Sequence, residues 1–190
     1  MGGIEGVTLL AVVIVSAVVA AAIAVALIYN RFVTLRNRCD NAWAQIDVQL
    51  RRRYDLIPNL VETVKGYAAH ERETLERVVA ARAAAMSAQG TEGRSIAENA
   101  LTGTLKSLFA LAEAYPDLKA NASFLDLQAQ LTDTEGKIAY ARQFYNDSVM
   151  TLNMAVQQFP ANLVASIFGF RERVYFEIEA VAKEPVPVSF

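Results

Sequence analysis

The stretch VTLLAVVIVSAVVAAAIAVALI, residues 7–28, carries no charged side chain over its 22 positions. As a helix it rises about 33 Å, enough to cross a hydrocarbon layer of about 30 Å. Backbone can sit in lipid only where its N–H and C=O groups are paired, and a helix pairs them within itself. The rest of the chain must therefore fold from the end of a membrane-spanning helix. A cleaved secretory signal is the competing reading, because Ala24-Val25-Ala26 offers small residues at a cleavage-like position. It fits less well: the apolar run exceeds a usual signal core, and Glu5 stands where a signal would carry positive charge. Arg31, Arg36 and Arg38 follow the span while Glu5 precedes it. Flanking cations stay on the cytoplasmic side, so the N-terminus is expected outside and the body in the cytoplasm.

Beyond the span the chain reads as helices with brief interruptions and no strand signal. Phe32, Leu35, Cys39, Ala42 and Ile46 recur every three or four residues, the stripe of a helix packing in a bundle. Nothing breaks the pattern between Ile28 and Phe32, so the membrane helix is expected to continue into the first bundle helix and end near Arg53. The segment RRRYDLIPNL, beginning at Arg51, then reads as a helix-to-helix reversal. Pro58 cannot donate to the carbonyl of Tyr54, and a straight helix through it costs about 3 kcal/mol or more. With Asp55 as N-cap, Pro58 falls in a first turn where its missing donor is harmless. Arg53 ends the preceding helix, and Asn59 follows the proline. A second helix is expected to about Ser87, closed by the GTEG turn of Gly90 to Gly93. A third is expected from about Ser95 to Ala114, and a fourth along the stripe from Leu127 to Phe159, stopped by Pro160. The expected fold class is all-α, a transmembrane helix continuing into an antiparallel four-helix bundle. Its divisions are a tail over residues 1–6, the span over 7–28, the bundle over 29–182 and a Pro-punctuated tail over 183–190.

Catalytic chemistry finds little purchase. His70 is the only histidine in the chain, and Thr74 stands where a second zinc ligand of an HExxH motif would fall. A histidine-based metal site, a bridged di-iron site and a Ser-His-Asp arrangement are all left without partners. No Gly-Lys-Ser/Thr phosphate loop occurs, and a net charge of -2 with no long basic stripe argues against nucleic acid. No enzyme activity and no cofactor are expected. The single Cys39 rules out an internal disulfide.

Three patterns point to surfaces instead. Asn37 and Asn41 on the first bundle helix, with Asn146 and Asn153 seven apart on the fourth, are either a solvated face or an inter-helix polar seam that fixes register. Ser16, Ala20 and Ala24 put small residues four apart in the span, a spacing that permits close helix association and that alanine richness also produces by chance. In an up-and-down bundle the fourth helix returns to the membrane, which places Phe168, Phe170, Tyr175 and Phe176 near the bilayer, with Arg31 and Arg36 at the span's end. Those aromatics either cap the bundle or touch lipid or a neighbouring subunit.

The segments YNRFVTLRNRCDNAWAQIDVQLRRRYDLIPNLVETVKGYAAHE, ARQFYNDSV, FPANLVASIFGF and YFEIEA resemble the LemA family of bacterial membrane-anchored proteins over nearly all of the extramembrane chain. The resemblance implies a membrane helix, a helical bundle and an external N-terminus in the bacterial inner membrane. It supplies no catalytic residue. Family members are often encoded near membrane proteases. The expected role is a non-enzymatic scaffold or self-assembling homo-oligomer at the lipid bilayer. The alternative is an adaptor that binds a membrane protease or envelope enzyme.

Overall fold

A computed structural model describes the backbone of residues 2–176 and side chains from Gly6 onward. Among the described residues six helices follow one another: α1 (Gly2–Lys65), α2 (Arg72–Ser87), α3 (Gly90–Ala112), α4 (Pro116–Lys119), α5 (Ala122–Gln157) and α6 (Ala161–Phe168). No strand occurs among the described residues. The N-terminal part of α1 is long and apolar enough to cross a membrane, with a mean hydropathy of 3.0 over its most apolar window and none of that window buried.

The expected reversal at residues 53–58 does not exist. Helix α1 runs through Asp55 and Pro58 to Lys65. Two features make this possible. The buried stripe keeps its phase across the proline, through Ile46, Leu50, Ile57, Leu60 and Val64, all fully buried. The carbonyl of Tyr54, which Pro58 deprives of its donor, accepts a hydrogen bond from Arg82 Nε of α2 at 2.8 Å. Asp55 and Asn59 are therefore exposed mid-helix residues and cap nothing. The true break lies at residues 66–71, where Ala68, almost fully buried, returns its N–H to Val64 O at 2.8 Å.

The remaining boundaries follow local chemistry. Gly90 takes φ +70° and opens α3, so Gly93 lies inside a helix and not in the expected turn. Pro116 sits in the first turn of α4, as a residue without a donor should. Asn121 Oδ1 accepts the N–H of Phe124 at 3.0 Å, an N-cap bond that starts α5.

The described residues fall into two compact units, one drawn from Met1–Asn41 with Asp147–Arg173, the other from Ala42–Asn146 with Val174–Phe190. In the first, the α6 end is closed by Gly169 at φ +73°, and Phe170 N–H reaches back to Ala165 O at 2.9 Å, a Schellman-type stop. The turn delivers Phe170 onto Phe32, ring to ring at 4.8 Å, and Tyr29 meets Phe168 and Phe170 edge-on at 5.0 and 5.6 Å. Cys39 is fully buried in the same unit, and burial raises its thiol pKa. In the second unit Val78, Leu101, Leu108 and Ile138 are fully buried, as is the α1 stripe. Each side chain of this size contributes about 1.5–3 kcal/mol by leaving water.

If Arg82 sustains α1 through the proline, Arg82→Ala should lower stability by about 1–3 kcal/mol, the cost of an orphaned carbonyl. Adding Pro58→Ala should recover most of that loss, because the restored N–H takes the same acceptor. Thermal unfolding of the detergent-solubilised single and double variants measures both; additive losses would contradict the role given to Arg82.

Candidate functional site

The most unusual side chain in the second unit is Arg53, which is fully buried on the apolar stripe of α1. Its guanidinium ion-pairs with Glu98 of α3, which is also fully buried, and with Glu135 of α5 at 2.5 Å. Arg53 Nη1 also donates to Thr102 Oγ1 at 2.9 Å, and that hydroxyl donates on to Glu135 Oε1 at 3.2 Å. Tyr54, the next residue of α1, donates its hydroxyl to the other oxygen of Glu98. Burial, reinforced by the Glu98 carboxylate, pushes the Tyr54 phenol well above its ordinary pKa of 10.0. Three helices thus converge on one cation, and both oxygens of Glu98 are engaged by α1 donors.

Beside this cluster lies a second buried guanidinium. Arg142 of α5 is 6% exposed, and its Nε and Nη2 atoms have no hydrogen-bond partner among the described residues. It lies over the ring of Phe176, 4.6 Å from the centroid, a cation–π contact in place of a carboxylate. Burial first, and the nearby Arg53 charge second, lower its pKa. Trp43 packs edge-on to Tyr145 at 5.4 Å and lies under Arg94 at 5.6 Å, while Arg94 pairs with Asp47 at 3.0 Å. What these groups do is neutralise and position one another.

Two asparagines hold the segment that follows α6. In the second unit Asn146 donates to Phe176 O at 3.0 Å and accepts from Phe176 N at 2.8 Å. In the first, Asn153 makes the same pair of bonds to Arg173, at 2.9 and 2.8 Å. Arg173 also pairs with Asp40 at 2.7 Å.

Asn37 and Asn41 are exposed, whereas Asn146 and Asn153 bind backbone of the C-terminal segment. Ser16, Ala20 and Ala24 lie exposed along the apolar part of α1, Ser16 Oγ returning to Val13 O at 2.9 Å. Arg31 and Arg36 are exposed, and Arg36 lies 5.7 Å above the Phe170 ring. Phe168 and Tyr175 are about half exposed, Phe170 is half-buried, and Phe176 is fully buried beneath Arg142, in the core of the second unit. His70 is exposed at the α1–α2 joint. Sequence reasoning placed Arg53 at a helix end and missed Glu98, Thr102 and Glu135. The available signal was phase, since Arg53 stands three residues after Leu50 and four before Ile57 on an otherwise apolar stripe.

Comparison with known proteins adds an independent finding. The sequence profile of the LemA family matches residues 42–190. Over 184 residues the chain is 26% identical to the magnetosome protein MamQ of Magnetospirillum gryphiswaldense, covering 83% of this chain and 68% of the relative. It is 24% identical over 165 residues to Protein LemA of Metamycoplasma hominis, covering 84% and 74% respectively.

Removing one member of a buried ion pair leaves the other charge stranded, so Arg53→Met should cost about 3–5 kcal/mol, and Arg53→Met with Glu98→Leu much less than either change alone. Denaturant titration of the three variants checks the coupling. Tyr54 adds a pH signature. A phenol whose pKa is raised on folding contributes stability that is full below pH 10 and declines as pH rises above it. Tyr54→Phe should flatten that decline, read as thermal stability between pH 8 and 11.

Proposed function

The chain belongs to the LemA family, and from that membership we propose that it acts as a non-enzymatic, membrane-anchored scaffold that assembles with copies of itself at the bacterial inner membrane. The observation that carries the proposal is the continuity of α1, one 64-residue helix whose first part is fit to span a membrane and whose last part is a core element of the second unit. A helix of that length rises about 96 Å. The buried charge of Arg53 is paired internally with Glu98 and Glu135, which suits a structural body. In this reading the extramembrane part of α1, with α2, α3 and α5, forms an antiparallel four-helix bundle. The Arg53 contacts to Glu98 and Glu135 support three of its members, and the Arg82 bond to Tyr54 O supports the fourth. The cations after the span support a cytoplasmic bundle and an external N-terminus. The exposed Ser16, Ala20 and Ala24 face offers the close approach through which anchors associate.

An adaptor for another membrane protein is the second reading. It is favoured by an apolar groove of about 690 Å³ between the end of α1 and α2, lined by Val61, Leu75, Val79 and Ala83 with Glu62 and Arg72 at its edge.

Mass measurement of the detergent-extracted protein separates the two. A uniform homo-oligomer that falls apart when Ala20 and Ala24 are replaced by Leu is the expected result. A monomer that co-purifies stoichiometrically with a different membrane protein, and loses it on Val79→Glu, would overturn the scaffold reading.

A further inference from the structure

We propose that the exposed face of α6 lies in the membrane–water interface and docks on the lipid bilayer that holds α1, giving the protein a second, peripheral membrane contact beside its span. The proposal rests on the anchored reading of α1 and adds a surface to it. Tyr29 is the first residue after the apolar run, so with residues 7–28 in the hydrocarbon its ring stands at headgroup level. Phe168, the last residue of α6, lies 5.0 Å from that ring within the same unit. The end of α6 is thereby held at the bilayer boundary by a direct aromatic contact.

The composition of α6 fits that position. Val164 and Ala165 are buried, while Leu163 and Ile167, one helical turn apart, are 56% and 76% exposed. Phe159, at the joint before α6, is 79% exposed. Large apolar side chains exposed together at this density mark a contact surface. In the span that precedes Tyr29, Leu27 is likewise 65% exposed. Arg31, two residues after Tyr29, and Arg171, three after Phe168, are exposed, so basic residues accompany the aromatic and aliphatic ones in the combination that settles into headgroups. Phe176 is no part of this surface, since it is fully buried beneath Arg142.

The test uses the full chain in a Cys39→Ala background, reconstituted in nanodiscs of phosphatidylcholine and phosphatidylglycerol at one copy per disc. Single cysteines at Leu163 and Ile167 carry an environment-sensitive fluorophore. Ala20 serves as the mid-span position, and Met150, exposed on α5 in the same unit, as the reference outside the surface. Docking predicts blue-shifted emission at positions 163 and 167 and quenching by shallow lipid nitroxides several-fold stronger than at Met150. Emission matching Met150 while Ala20 reports deep burial would overturn the docking and leave the anchor intact. Water exposure at Ala20 would overturn the anchor and the docking together. Shielding at 163 and 167 that arises only with two copies per disc would assign the face to a subunit contact and also overturn the proposal.

Discussion

A guanidinium in a hydrocarbon stripe is costly to bury, and the second unit is organised around meeting that cost. Desolvating an ion costs several kcal/mol even after relaxation, and the Coulombic return covers it only when geometry is good and the remaining donors are satisfied. Arg53 meets those terms by drawing Glu98 and Thr102 from α3 and Glu135 from α5, with Tyr54 closing the other side of Glu98. Apolar contacts would tolerate a shift of one helix along another, whereas a buried cation with two carboxylates does not. The network therefore does more for register than for net stability, as a buried polar residue does in a coiled coil.

The same region explains where sequence reading succeeded and where it failed. The long apolar N-terminal helix was legible because its signal is additive: 22 uncharged positions point one way. Helix α5 was legible because its stripe from Leu127 to Leu152 repeats without interruption, and its observed bounds lie within a few residues of the expected ones. The apparent break at Asp55 and Pro58 was a conflict between a local rule and a longer pattern, and the longer pattern prevailed. A proline ends a helix because a carbonyl is left unpaired, and Arg82, 28 residues away in sequence, removes that reason. No window around residue 58 contains the partner. Gly90 and Gly93 misled in the same way, since packing of Leu101, Leu105 and Leu108 holds α3 despite a start that local propensity disfavours.

The candidate site was less legible than the fold. Asn146 and Asn153 were visible as a heptad pair, yet their partners are backbone atoms, which carry no sequence signature. Each asparagine satisfies both polar groups of one extended residue, so the segment after α6 is held to α5 without a sheet. Helix α1, which carries Arg53, also contains the apolar part long enough to cross a membrane.

The account stands on α1 remaining one helix through Pro58, because only then does Arg53 sit on the buried stripe. Spin labels at Gln45 and Glu62, both exposed, test this directly by pulsed electron–electron distance measurement on the full chain in lipid. An unbroken helix separates the two backbones by about 26 Å of rise and gives a single narrow distribution near that value. A reversal at residues 53–58 would bring the two positions level on neighbouring helices, about 10 Å apart, and a distribution centred there would contradict the account.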